Sequence, residues 1–222
     1  STGAATGIYK DDADGTWDVL LQPWGTGTTA NLGSIVIAQG FAVFSNGLDT
    51  PQKWDQTTLS DLGTSAPVCA GYTYHLRRLF SVAEASGDGS TVKFCAAGDI
   101  TDWTGADTGN FVLDENDGDY VIGASAPLDG NIYFFKGPNH GGVFQLSGNS
   151  PATFLRQRIG TGSACVSHRT IVTTDTDVFW ASQYGFHSLR ALQQTGKSSI
   201  SGALNLTDTD FQIQATKLVG VH

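Results

Sequence analysis

The sequence predicts an all-β chain, a propeller-like array of four-stranded blades with four to five repeat units in its 222 residues. Three observations lead there. Short apolar runs alternate with turn signals, and nowhere does an i, i+3, i+4, i+7 apolar stripe persist over three helical turns. Glycine is abundant (28) and proline scarce (6), with 12 Phe and 5 Trp, which suits many short strands joined by tight turns. Four runs of one shape also return at long period: Phe41 to Phe44, Leu79 to Val82, Ile132 to Phe135 and Val178 to Ala181, each an aromatic-bearing strand followed by a turn and another strand. Their starts lie 38, 53 and 46 residues apart (41 to 79, 79 to 132, 132 to 178). Blades recur at roughly 40–50 residues and helical repeats nearer ~34. One blade cannot bury both of its faces, so blades stack around an axis and cover each other. A β-sandwich, whose strands recur every ~8–12 residues, is the alternative.

The chain in order supports this reading. Thr16 to Leu21 follows the turn signal Asp14-Gly15, and Ser34 to Ala38 with Phe41 to Ser45 forms a hairpin around Gln39-Gly40. Cys69 to Tyr74 and Arg78 to Val82 are strands, and Ser86 to Ser90 is a hairpin tip leading into Val92 to Ala97. Val92 to Gly148 is the organising stretch, one blade and the start of the next. Within it, Asn131 to Lys136 and Gly142 to Gly148 are strands around a turn. Thr170 to Thr174 and Asp177 to Ala181 surround Asp175-Thr176, and Leu204 to Ala215 is a weak helical candidate.

Composition excludes several function classes. The net charge is -9, from 12 Lys and Arg against 21 Asp and Glu. That argues against a phosphate-binding surface, which needs Lys and Arg to neutralise phosphates. It is compatible with DNA passing an acidic wall that repels it. Charged residues make up only 15 %, as in many secreted and virion proteins. Cys69, Cys95 and Cys165 form no CxxC pair and are expected to be buried and reduced. No apolar run reaches the ~18 residues of a membrane helix. Methionine is absent and the apolar run Lys217 to His222 ends without a tail, so residues 1–222 are expected to form a single propeller-like domain of a longer chain.

Phe94-Cys95-Ala96-Ala97-Gly98-Asp99-Ile100-Thr101-Asp102-Trp103 resembles the "F-S-x-x-G-D-P-T-D-W" signature of bacteriophage head-to-tail and tail structural proteins. Later features come in that family's order: Ile122-Gly123 with Pro127 to Gly130, Ile132 to Lys136, and Val143 to Gly148. Asp177 to Phe186 is similar to its "D-V-x-F-L-S-x-x-G-V" blade, Lys53-Trp54-Asp55 to its "x-W-D-G" segment, and His75 to Phe80 to its "H-K-N-R-L-F" segment. The resemblance spans residues 40–190, with Cys95 for the usual Ser, Ile100 for Pro, and Gln56 where Gly would follow. It implies a propeller-bearing ring component, commonly hexameric, forming the nozzle or DNA-retaining plug of a short tail.

Sites for chemistry are few. Asp12 to Gly15 and Asp114 to Asp119 invite a calcium reading, but Lys10 stands at the first ligand position of one loop and Gly118 comes a residue early in the other. Solvated turns are favoured. Gly25 to Ala30 fits G-x-G-x-x-A without the helix that should follow. The five histidines never fall at i, i+2 or i, i+4, and no G-x-S-x-G elbow marks a nucleophile, Thr161 to Cys165 lacking the strand-turn-helix setting. Asn205-Leu206-Thr207 matches a glycan acceptor and carries little weight.

The expected protein is therefore not an enzyme and needs no cofactor or metal. It is a virion structural protein, a ring-forming tail or nozzle subunit that lines or plugs the DNA exit channel. It would be assembled in the bacterial host cytoplasm as a homo-oligomer, contacting adaptor, portal and other tail proteins, with no membrane. The residues singled out are Trp54, Trp103, Phe134 and Trp180 for blade packing, and Arg77 and Arg78 for ion pairs to a neighbouring subunit. Asp114, Glu115, Asp117 and Asp119 are expected to be an acidic lumen loop. A carbohydrate-binding propeller with Trp103 as a stacking platform is the alternative, and a propeller hydrolase a third reading.

Overall fold

Alternation of apolar and polar residues produces strands wherever turn residues allow the chain to reverse. The computed structural model describes residues 7–11, 15–24, 33–85, 89–162 and 164–200. The loop readings on residues 12–14, 25–32 and 86–88, Ser163, the helix expected at 204–215, the glycan acceptor at 205–207 and the run at 217–222 lie outside them. β1 (Ile8–Asp11) and β2 (Trp17–Leu21) form a hairpin. β3 (Ser34–Ala38), β4 (Phe41–Ser45), β5 (Gln52–Trp54) and β6 (Leu59–Asp61) follow as one antiparallel sheet, in spatial order β3-β4-β5-β6. β7 (Cys69–His75), β8 (Arg78–Glu84), β9 (Thr91–Phe94) and β10 (Gly109–Val112) form a second. β11 (Tyr120–Ala124), β12 (Ile132–Gly137), β13 (Gly142–Ser147) and β14 (Leu155–Thr161) form a third. β15 (Val172–Thr173), β16 (Val178–Ser182) and β17 (Gly185–Ser188) make a three-stranded sheet.

The fold is all-β, with consecutive meanders consistent with propeller-like blades. The four repeating aromatic runs are β4, β8, β12 and β16, the second strand of each successive meander. The stretch Val92 to Gly148 straddles a boundary. β9 and β10 end one sheet, and β11 to β13 begin the next.

Alternate residues along one strand go to opposite neighbours, and this ties the sheets together. On β12, Ile132 and Phe134 join Phe80, Val82, Phe94 and Phe111 in a core between the second and third sheets. Tyr133 and Phe135, one residue out of phase, join Val178 and Trp180 in a core between the third and fourth. On β7 and β8, Tyr72 and Leu79 meet Val43 and Ala38 of the first sheet, while Phe80 turns the other way. A strand buried on both faces reads as a continuous apolar run, and all six residues of β12 are buried.

One helix, α1 (Leu189–Thr195), was not expected. The Ser188 side chain accepts from Ala191 N at its start, and Gly196 ends it with a left-handed φ of 72°. Only Leu189 and Leu192 are buried, so its apolar stripe is too short for a three-turn criterion. His168–Thr170 is a 3-10 turn, so the strand expected over Thr170 to Thr174 shortens to β15 at Val172–Thr173. No helix of the described residues is long and apolar enough to cross a membrane.

Candidate functional site

The first strands of the sheets converge. Ser34 to Ile37 of β3, Tyr72 to Tyr74 of β7, Ala124 of β11 and the turn at His168 line one open cleft of about 510 Å3. Its depth depends on small residues. A Cβ on Gly71 would stand 2.9 Å from the His168 ring, so glycine lets the imidazole pack onto β7. Ala124 N donates to His168 Nδ1 at 3.3 Å, which leaves the proton of the neutral ring on Nε2. Burial, with Arg169 beside it, pushes His168 down to about 4, so the ring is neutral near pH 7. Arg169 is exposed at the rim and donates to Gly33 O at 3.5 Å. Two of the cleft hydroxyls already have acceptors. Tyr72 donates to Pro67 O and Thr73 to Ser125 O. Among the described residues no carboxylate lines the cleft, which presents a cation and largely apolar walls rather than a paired acid and base.

The acidic loop is tied down. Lys136, fully buried on β12, extends its ammonium to Asp117 Oδ1 (2.7 Å), the carbonyls of Leu113 (2.7 Å) and Asp114 (2.6 Å), and Ser90 Oγ (3.1 Å). Burial is the largest influence on Asp117 and opposes its ionisation, but the hydrogen bonds from Lys136 and from Asp119 N, with the charges of Lys136 and Arg158, together outweigh it and hold the carboxyl below its usual range. Asp119, also buried, accepts from three successive backbone amides, Asn139, His140 and Gly141, at 2.7–2.9 Å. Asp114 pairs with Arg158 at 2.8 Å. Three of the four carboxylates expected to face a lumen therefore organise their own loop, and Glu115 remains as an exposed charge. This also accounts for the calcium-like spacing, since the carboxylates have protein partners. Among the described residues no group of three His, Cys, Asp or Glu side chains is placed to hold a metal ion.

The segment Ala96–Trp103, the centre of the phage resemblance, is a self-bonded turn. Asp99 Oδ1 accepts from Thr101 N (2.9 Å) and Thr101 Oγ1 (2.6 Å), and Asp102 Oδ1 accepts from Thr104 N and Gly105 N. Trp103 Nε1 donates to Ile100 O at 3.0 Å, and its half-buried ring lies 5.7 Å from that of Tyr72. These partners make Trp103 a packing residue of its own turn, not a free platform for a sugar ring. Arg78 is buried. It grips Asp107 with two 2.7 Å bonds and also donates to the carbonyls of Cys95 and Asp107, so its ion pair is internal. Arg77, exposed in the β7–β8 turn at φ 60°, is the member of the pair left available to another chain. Phe134 and Trp180 are fully buried between sheets, and Trp54 is half-buried on the outer side of the first.

One serine–histidine contact arises that no sequence spacing signalled. His187 Nε2 lies 2.7 Å from Ser182 Oγ and Nδ1 2.8 Å from Ser198 Oγ, with the ring stacked on Trp180 at 15°. Its third member is a second hydroxyl, where a nucleophilic triad has a carboxylate to orient and stabilise the imidazolium. Asp177, which pairs with the neighbouring Ser188, is engaged with its Oγ (2.6 Å) and with the amides of Val178 and Arg190. Burial pushes His187 down to about 4. The cluster is a buried hydrogen-bond network that fastens residues 198–200 to β17. The three thiols are buried and free, and burial raises Cys69 to about 12 and Cys95 and Cys165 to about 11. In comparisons with known proteins, no protein-family model and no curated sequence matches this chain.

Proposed function

We propose that this protein is a structural subunit of a virion, a ring-forming tail or nozzle component around a DNA exit channel. What carries the reading is how the polar groups of the segments that bear the phage resemblance are used. The Asp99–Trp103 turn, the Arg78–Asp107 pair and the Lys136 cage each direct their hydrogen bonds inward, to hold a loop in shape. An arrangement of this kind resists deformation, because each buried charge fixes a loop to a strand that is itself packed on both faces. The phage resemblance of residues 40–190 supplies the kind of assembly. Homo-oligomeric rings, commonly hexamers, stack on adaptor, portal and tail neighbours in a particle assembled in the host cytoplasm. With the 114–119 loop internally paired, repulsion of DNA rests on the overall charge of -9 and not on that loop.

The test is direct. Native mass spectrometry and negative-stain images of the full chain at micromolar concentration should show a closed ring. A monomer that persists at high concentration, and that binds no tail or portal protein, overturns the reading.

A further inference from the structure

The cleft at the convergence of β3, β7 and β11 has no part in the structural role, yet its polar groups are of one kind. Ser34 Oγ and His168 Nε2 reach the same point over Gly71, where an added Cβ would stand 3.2 and 3.0 Å from them. Glycine therefore keeps the floor open between two donors. Among the described residues neither atom has a hydrogen-bond partner, since the one bond of the ring is made at Nδ1. Thr173 also lines the cleft, and its hydroxyl accepts from Ala126 N at 3.1 Å, which leaves its proton to give. Arg169 has one long bond, 3.5 Å to Gly33 O, and no carboxylate within ion-pair reach among the described residues. That bond places the guanidinium one residue from Ser34, so charge and hydroxyl can serve one ligand group.

The walls are apolar and open to solvent. Ile35 and Ile37 stand in them 63 % and 66 % exposed, and Ile171 and Pro127 line them as well. A concavity of about 510 Å3 with apolar walls and a few placed polar groups has the form of a small-molecule site. Charge then selects the ligand. Donors and one guanidinium, with no lining carboxylate among the described residues, suit an anion, and Arg pairs with a carboxylate through two parallel bonds. A second negative charge on the ligand would find no cation of its own, in a chain whose net charge is -9.

We propose that this cleft binds a small organic monocarboxylate, its carboxylate against Arg169, His168 and Ser34 and its apolar body against Ile35 and Ile37. The site goes beyond the tail reading and is independent of it, since ligand binding to one chain and assembly between chains are measured separately.

Titration calorimetry of the full chain with octanoate and with its neutral counterpart octanamide tests it. Octanoate is expected to bind once per chain, at least ~10-fold more tightly than the amide, as a charge-assisted pair requires. Arg169→Gln should abolish that preference while leaving the amide affinity and the unfolding midpoint unchanged, because Arg169 is exposed. Ile37→Asn should weaken both probes. Arg156→Gln, an exposed arginine of β14 outside the cleft, should alter neither. Absence of saturable octanoate binding at millimolar concentration overturns the proposal. So does equal affinity for acid and amide, a preference that survives Arg169→Gln, or a preference lost in Arg156→Gln, which would put the carboxylate elsewhere.

Discussion

Lys136 Nζ stands 2.7 Å from Asp117 Oδ1, at the closed end of a side chain with no solvent exposure. The pair joins the β12 strand, packed on both faces, to the loop between the second and third sheets. Removing the cation leaves the carbonyls of Leu113 and Asp114 and the Asp117 carboxylate without their shared donor. Lys136→Met should therefore cost roughly 3–5 kcal/mol in urea unfolding, since breaking a buried pair strands the partner. Asp117→Asn keeps a neutral acceptor at a partly exposed position, and its loss should be smaller, about 1–3 kcal/mol.

Trp180 is fully buried, with its ring 4.9 Å from Phe135 and stacked on His187. It spans the core between the third and fourth sheets, so Trp180→Ala opens a cavity there at a cost of about 3–5 kcal/mol. Leu155→Ala, on an exposed strand, should stay within about 0.5 kcal/mol of the parent. A Trp180→Ala loss as small as the Leu155→Ala loss would mean that the fourth sheet is not seated on the third.

Acid should weaken the protein before its carboxylates titrate. His168 and His187 are held down to about 4 by burial, against ~6.5 in an unfolded chain. The unfolded chain thus takes up these protons first. The stabilisation is complete above about pH 6.5 and declines as the pH falls toward 4, by up to ~1.4 kcal/mol per pH unit for each ring. Urea midpoints measured from pH 7 to 4.5 should follow that decline, and His187→Gln should flatten it. An unchanged slope in that variant would show that His187 titrates like an exposed ring.

Arg77 and Arg78 should separate cleanly. Arg78→Ala removes the buried grip on Asp107 and two carbonyls, and should lower the unfolding midpoint without altering subunit exchange. Arg77→Ala should leave stability within about 0.5 kcal/mol of the parent. If Arg77 contacts a neighbouring subunit, its loss shows in the oligomer distribution by native mass spectrometry.

Much of this architecture could be read from the chain alone. The aromatic runs at positions 41, 79, 132 and 178 named the second strand of each four- or three-stranded meander, because these inner strands carry the apolar residues that pack between sheets, on both faces in the case of β8 and β12. Gly and Asp signals marked most reversals. Polar strands were less visible. Leu155-Arg156-Gln157-Arg158 forms the outer strand β14, and short β5, β6 and β10 lie at similar outer positions, where one side faces water and the alternation fades.

Position along the chain determined which residues are strands, turns and apolar anchors, since these follow from local periodicity and the steric limits of each residue. Only the tertiary structure decided what the charges do. Lys136, Asp117 and Asp119 read as a basic strand end and an acidic loop until packing places the ammonium among carbonyls and one carboxylate against three amides. The same is true of Ser182, His187 and Ser198, brought together by hydrogen bonds across a sheet edge. Electrostatic partners are chosen by distance in space and by exclusion of water, and neither quantity is encoded in the spacing of residues along a sequence.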